Sequence, residues 1–183
     1  PASVDDISHL LYSGLSHLEN VTVDVKNKKF KSDNGVLYQN NILNLYPEGK
    51  KSETYEVLEG TTEIYKIQNT YLKNLKLPNS LTTIDERGLA NCESLETLNI
   101  PQNITTFYED ENWRYVLIGC NNLKKITVDD KNKNYTISNG ALYSKDYTTL
   151  YKWFDRDTKN PEINGKTKKI GISAFDSCNN IES

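Results

Sequence analysis

The residues with the most obvious capacity for chemistry are few and widely spaced. The two histidines, His9 and His17, are eight residues apart, with no third ligand nearby to complete a metal site. The acidic run from Glu109 to Glu111 lacks the alternating spacing and the glycine of a calcium loop. We therefore predict a solvated insertion at this run, and neither a metal nor a cofactor for the chain.

Catalytic motifs are also missing from the sequence. It contains no Gly-x-Ser-x-Gly elbow and no glycine-rich phosphate loop. The carboxylates at Asp129, Asp130, Asp155 and Asp157 have no spacing that selects a pair for glycoside hydrolysis. We predict that the chain is not an enzyme.

The three cysteines share one register. Cys92, Cys120 and Cys178 each lie three residues before an aliphatic residue. An odd number of widely spaced cysteines does not indicate a disulfide framework. A repeated register indicates small side chains that face a core, so we predict reduced, buried thiols.

The apolar residues that must position everything else recur at a fixed interval. Shifted by 23 residues, the stretch from 72 to 84 overlies the stretch from 95 to 107. The matched positions are aliphatic or proline: Leu72 with Leu95, Leu75 with Leu98, Leu77 with Ile100 and Pro78 with Pro101. A period in this range is typical of a solenoid, whose units bury their apolar faces only by stacking on one another.

Each unit also carries a strand signal. Its last aliphatic positions alternate, which predicts a short strand with one buried face, paired in parallel with the strand of the next unit and ended by proline. Residues 21–23 would form the first such strand, and residues 87–92 and 173–178 a turn or short helix on the opposite side. The residue between the two inward positions should face solvent, and these residues are Thr22, Lys76, Asn99 and Thr127.

A larger duplication lies over the short one. Residues 23–47 match residues 128–152 at a shift of 105, which predicts one domain over 1–183 with super-repeat units at about 11–62 and 116–167. Within each unit, the polar links at residues 39–41 and 144–146 separate two apolar runs and predict a β-hairpin. The last coil stops before the strand that Ile181 should introduce, which favours a fragment of a longer chain.

Composition narrows the classes of partner. A formal net charge of -3 provides no basic field for nucleic acid. No run of 18 apolar residues occurs, so we predict no membrane insertion by this segment.

Two segments resemble a known family. Residues 170–181, IGISAFDSCNNI, resemble the I-x-x-x-A-F-x-x-C-x-x-L step of BspA-like leucine-rich repeat proteins, and residues 77–84 are similar to the other half of that unit. The resemblance implies an α/β leucine-rich-repeat solenoid, a right-handed stack with a short parallel sheet on one face, two hairpin insertions and few short helices. It also implies an extracellular or cell-surface protein, often tied to adhesion to host proteins or other cells and mostly without enzymatic activity.

Aromatic residues give a lead to the binding surface. The chain has 12 tyrosines and 2 tryptophans but no methionine. Tyr108, Trp113 and Tyr115 lie on an insertion between two coils, and tyrosine and tryptophan are common interface anchors. Rings on the hairpins have a second interpretation, in which they cover exposed sheet edges.

The sequence therefore favours a non-enzymatic, cell-surface or secreted module that binds a protein or glycan on another cell or host surface. Two alternatives stay open: a structural spacer in a longer envelope protein, and a targeting domain appended to a hydrolase. The candidate ligand-binding residues are Thr22, Lys76, Asn99, Thr127, Tyr108, Trp113 and Tyr115.

Overall fold

The computed structural model describes residues 1–7, 14–85, 87–105, 116–172, 174–176 and 178–182. Within these ranges the chain forms thirteen strands and no helix. In chain order they are β1 (Phe30–Asp33), β2 (Val36–Gln39), β3 (Ile42–Leu45), β4 (Thr54–Glu56), β5 (Glu63–Ile64), β6 (Asn74–Lys76), β7 (Thr83–Ile84), β8 (Thr97–Ile100), β9 (Lys125–Val128), β10 (Tyr135–Ser138), β11 (Ala141–Ser144), β12 (Thr149–Trp153) and β13 (Lys169–Ile170).

The predicted α/β class and its short helices are wrong for the described residues. The segment after β7 forms turns, in which Gly88 N donates to Asp85 O and Ala90 N to Arg87 O. Asn91 then takes a positive φ of 57° and donates its N–H to Ile118 O, in the next coil. The Asn91 amide therefore bonds to a neighbouring coil and is not available for a helical hydrogen bond within its own segment.

One sheet confirms the predicted parallel stacking. Its strand order is β4-β6-β8-β9, and all of its pairs are parallel. Leu75 lies opposite Leu98, and Leu98 opposite Ile126, with all three side chains buried. Pro78 and Pro101 follow β6 and β8, where the strands end. We call this assembly the parallel sheet.

Two further sheets are mixed. Their strand orders are β1-β2-β3-β5-β7 and β10-β11-β12-β13. Both predicted hairpins, β2–β3 and β11–β12, are confirmed as antiparallel pairs. In addition, the Asn34-Gly35 and Asn139-Gly140 pairs, all with positive φ, connect β1 to β2 and β10 to β11. Each hairpin is therefore part of a three-stranded meander.

The two meanders follow the predicted shift up to their third strand. β10 and β11 lie 105 residues after β1 and β2. The turn before β12 is longer than the turn before β3, because Tyr38 pairs with Leu43 whereas Tyr143 pairs with Leu150. The unit boundaries and the right hand of the stack stay predictions.

The core runs between the parallel sheet and the mixed sheets. It consists mainly of the periodic aliphatic residues, and Cys92 and Cys120 lie in it as buried, free thiols, as predicted. Cys178 is also free but half-buried. Each buried thiol binds the coil before it, with Cys92 Sγ 3.1 Å from Ile67 O and Cys120 Sγ 3.2 Å from Leu89 O. The described residues form no helix long and apolar enough to cross a membrane.

The predicted first strand at residues 21–23 is wrong. Val21 N donates to Gly35 O at 2.8 Å, and Val23 N donates to Ser32 Oγ at 3.1 Å. These two amides are bonded to β1 and to the turn between β1 and β2, and therefore they do not form a ladder with the parallel sheet.

Candidate binding face

The exposed side of the parallel sheet presents its polar side chains in two rows. Strand alternation buries the central residue of each strand and directs its neighbours to solvent. One row contains Glu56, Lys76, Asn99 and Thr127, and the other contains Thr54, Asn74, Thr97 and Lys125. All eight side chains are exposed. We call them the binding face.

Three of the predicted site residues meet on this face. The outward orientation of Lys76, Asn99 and Thr127 is confirmed, and they lie on adjacent strands. Thr22 lies outside the parallel sheet, because its segment bonds to the turn between β1 and β2. Tyr108, Trp113 and Tyr115, with the acidic run beside them, lie outside the described residues.

Hydrogen bonds connect the side chains along each row. Lys76 Nζ lies 2.5 Å from Glu56 Oε1, and Thr127 Oγ1 donates to Asn99 Oδ1 at 2.9 Å. In the second row, Thr97 Oγ1 donates to Asn74 Oδ1 at 3.4 Å. The Oδ1 atoms of Asn99 and Asn74 accept these hydrogen bonds from threonine. The Nδ2 group of each asparagine, with its two N–H donors, therefore points away from that threonine. The face therefore offers ordered donors to a ligand.

Two shallow grooves adjoin on the face. One has a volume of about 610 Å³ and extends over β6, β8 and β9 to Asn79. The other has a volume of about 620 Å³ and lies toward β4, where Asn34 and Lys50 line its far side. The Glu56–Lys76 ion pair lines both grooves. A ligand that follows the sheet from β4 to β9 would cross this pair.

Ion pairs also connect successive coils at residues that line neither groove. Lys73 Nζ lies 2.7 Å from Glu53 Oε1, and this hydrogen bond raises the pKa of the Lys73 ammonium. Lys66 and Glu48 form a less exposed pair at 2.9 Å. The exposed Lys73–Glu53 pair contributes little to stability.

A cluster of tyrosines forms the floor at the β4 end. Tyr55, in β4, faces inward, with its hydroxyl 2.6 Å from the Tyr38 hydroxyl and its ring centroid 5.1 Å from that of Tyr46. Burial raises the pKa of Tyr38 and Tyr55, and it raises the pKa of Tyr46 to about 12. This packing holds β4 in place beneath the second groove.

The hairpin aromatics are mostly core residues. Tyr38, Tyr46, Tyr143 and Trp153 are buried, and Tyr151 is half-buried. The four buried rings pack in the core, which neither interpretation had predicted: they are not exposed to a ligand, and they do not lie over an exposed sheet edge.

Sequence reasoning identified three of the eight residues of the binding face and missed the other five. Asn74, Thr97 and Lys125 precede the inward Leu75, Leu98 and Ile126, so strand alternation already indicated that they face outward. Glu56 and Thr54 had no such signal, because Tyr55 stands between them where the other strands carry an inward aliphatic residue. Within the described part of the chain, no group of three or more histidine, cysteine, aspartate or glutamate side chains is placed to hold a metal ion.

Comparison with known proteins identifies the repeat. The model of the BspA-type leucine-rich repeat region matches six copies over residues 61–153, just over half of the chain. No curated protein matches.

Two solved structures resemble the fold. The pneumococcal vaccine antigen PcpA has 21% identity and a TM-score of 0.59, over 74% of this chain and 39% of that one. A leucine-rich repeat protein from Eubacterium ventriosum ATCC 27560 has 19% identity and a TM-score of 0.57, over 91% of this chain and 55% of that one. The chain thus matches about half of these proteins' length or less.

Proposed function

The chain belongs to the BspA-type leucine-rich repeat family, and on that premise we propose that it is a non-enzymatic, surface-exposed or secreted module that binds a protein partner through the binding face. One observation supports this proposal above the others. The face is a continuous polar surface across four strands, with two adjoining grooves and side chains ordered by their neighbours.

The chemistry of the face favours a protein over a glycan. Both signs of charge line the grooves, with Glu56 and Glu59 beside Lys76 and Lys125 in the first of them. Charged groups arranged in this way select partners with complementary charges. The single aromatic residue among the lining residues is Tyr55, which is buried and offers no ring platform for a sugar.

The proposed location rests on the family and on a neighbour. PcpA is described as a vaccine antigen. The likeness to PcpA in sequence is only 21%, so it supports the shared fold, and an extracellular location for this chain is our proposal.

The test begins with a search for the ligand. The chain would be labelled and applied to arrays of matrix proteins, bacterial surface proteins and glycans. Binding to a protein supports the proposal. Binding only to a glycan would change the proposed class of ligand, and binding to nothing on the arrays would favour the structural spacer. Trp113→Ala would then show whether the insertion contributes to binding.

A charge swap then locates the site. Glu56→Lys with Lys76→Glu keeps an ion pair but reverses its direction, so the fold should be retained. Lys159→Glu with Glu182→Lys is the matched control, since that pair is also exposed, at 2.7 Å, and outside both grooves. We expect the first swap to weaken binding by about tenfold or more, equivalent to about 1.4 kcal/mol. If the two swapped variants bind the ligand with equal affinity, the binding face is not the site of binding.

A further inference from the structure

Two cysteines lie next to each other in successive coils of the core. Cys92 and Cys120 are both free thiols and both buried, with exposed fractions of 0% and 6%. The proposed binding function uses neither of them. A pair of adjacent thiols has a chemistry that a single thiol lacks, because the two can be joined by one covalent bond.

Backbone hydrogen bonds on both sides of this pair hold the two coils in register. Asn91 N donates to Ile118 O at 2.6 Å, and Asn122 N donates to Glu93 O at 3.2 Å. These bonds lie one residue to either side of the first cysteine and two residues to either side of the second, so the two cysteines are opposite each other. Backbones bonded in this way lie about 5 Å apart, and a disulfide requires Cα atoms about 4.4–6.8 Å apart.

Gly119 permits the close approach of the two coils at this step. Its φ is 74°, and a Cβ atom placed on it would lie 2.3 Å from Asn91 Oδ1 and 3.0 Å from Asn91 Cα. A residue other than glycine would be strained at this φ and would push the coils apart. The backbone beside the cysteine pair is therefore built for a short distance between coils.

The two side chains interact directly. The hydrogen bond between them raises the pKa of Cys92, and burial adds to that shift. The same hydrogen bond lowers the pKa of Cys120, and the Lys152 ammonium acts in the same direction. The thiolate is the nucleophile in thiol–disulfide exchange, so Cys120 is the thiol of the pair that reacts first.

The turn that carries Cys120 lies at the surface of the molecule. Ile118, Asn121 and Asn122 are exposed on it. Local opening of a turn costs less free energy than global unfolding. Solvent can therefore reach Cys120 while the parallel sheet stays folded.

Cys178 faces a tryptophan in the coil before it. Its Sγ lies 4.0 Å from Trp153 O, 25 residues earlier, just as Cys92 Sγ lies 3.1 Å from Ile67 O, also 25 residues earlier. The preceding coil thus presents Trp153 to Cys178 at the step where a cysteine precedes Cys120. Cys178 therefore serves as the internal control thiol.

We propose that Cys92 and Cys120 form a site of oxidative modification, at which a small-molecule disulfide converts the two thiols to a disulfide between successive coils. The Cys120 thiolate attacks one sulfur of the external disulfide, and a mixed disulfide forms as one external thiolate leaves and takes up the proton that Cys120 lost. Cys92 then loses its proton and attacks Cys120 Sγ, and the second external thiolate leaves with that proton. The two cysteines are oxidised, and one external disulfide is reduced to two thiols.

The new bond closes a loop of 29 residues that contains β8, a strand of the binding face. A disulfide stabilises mainly by restricting the unfolded chain, and its effect increases with the length of the loop. Such bonds form and persist in oxidising compartments, which include the exterior of the cell. This inference goes beyond the proposed function and does not depend on it, because the pair lies in the core and not on the binding face.

The test compares three matched variants that each keep two cysteines: Cys178→Ala, Cys120→Ala and Cys92→Ala. Each full chain is refolded from urea in a mixture of reduced and oxidised glutathione, so that burial does not limit the exchange. We expect only Cys178→Ala to lose two hydrogen atoms in mass and to retain no titratable thiol after denaturation. Its melting temperature should exceed that of the same sample reduced with dithiothreitol by about 5 °C or more.

Peptide mapping of the oxidised wild-type chain should link Cys92 to Cys120 and leave Cys178 outside the bond. The proposal is overturned if Cys178→Ala keeps its two thiols or is recovered only as mixed disulfides with glutathione. Equal formation of an intramolecular bond in all three variants overturns it too, since pairing would then not depend on the adjacent coils. A bond that forms without raising the melting temperature also overturns it, because the native coils would not accommodate the bond.

Discussion

The two mixed sheets begin with the same three-stranded meander but differ in what covers them. β1–β2–β3 is followed on its outer side by β5 and then β7, whereas β10–β11–β12 is followed, among the described strands, only by β13. At equivalent positions, Ile64 is fully buried and Ile170 is 50% exposed. The local sequence determines that a strand forms, and the next coil determines whether it is buried. Burial in this solenoid is thus a property of a residue's place in the stack.

The largest effect should come from truncating these two isoleucines. Ile64→Ala removes fully buried methyl groups and leaves a cavity, so we expect it to lower the free energy of unfolding by about 2–5 kcal/mol. Ile170→Ala removes groups already half in water and should cost about 0.5 kcal/mol. Denaturant unfolding of both variants measures the difference, and equal losses would mean that the two positions are covered alike.

A second difference concerns pH. In the first meander Leu45 pairs with Leu37, and Tyr46 is the next residue. In the second meander Lys152 pairs with Leu142 at the equivalent position, and the next residue is Trp153, which does not ionise. Burial raises the pKa of Tyr46 from 10.0 to about 12. The folded state favours the neutral phenol, so its stabilising effect is complete below pH 10 and is lost as the pH rises toward 12. The loss should be about 2–3 kcal/mol from this group.

Tyr46→Phe isolates this contribution. Its unfolding free energy, measured by circular dichroism at pH 8 and near pH 12, should decrease less than that of wild type. A variant that loses as much stability as wild type over this range would show that Tyr46 is not the responsible group.

The smallest contrast lies in the central strands of the meanders. Tyr38→Phe leaves the Tyr55 hydroxyl buried without its partner at 2.6 Å, which should cost about 1–3 kcal/mol. Tyr143→Phe removes only a long contact, 3.4 Å, from the Asn164 N–H, and should cost about 0.5 kcal/mol. Adding Tyr55→Phe to Tyr38→Phe should restore part of the loss. Equal costs for the two single variants in thermal unfolding would contradict this contrast.

The parallel sheet could be predicted because one period specifies it. Leu75 and Leu98 are inward wherever units stack in register, and the outward position of Lys76 and Asn99 follows from alternation. β4 could not be predicted in this way, because Tyr55 occupies the inward position at which the other strands have an aliphatic residue. The missed strands β1 and β10 had a signal, because Asn-Gly between alternating residues is a strong mark of a two-residue hairpin turn.

Other features depend on contacts that no local pattern contains. Residues 21–23 have the composition of a strand, but their amides bond to Gly35 O and Ser32 Oγ of the hairpin. Residues 87–92 were predicted as a turn or a short helix, and the structure has the turn, in which Asn91 N bonds to Ile118 O of the next coil. In each case the outcome was decided by a hydrogen-bond partner nine or more residues away in the sequence.

Hydrogen exchange at two matched amides tests most directly whether position in the stack determines burial and stability. Tyr65 N donates to Leu43 O and Gly171 N donates to Leu150 O, both at 2.8 Å and at the same step of the two mixed sheets. We expect the Tyr65 amide to exchange at least about tenfold more slowly, because β7 covers its strand and nothing described covers β13. Equal protection of the two amides would contradict the claim.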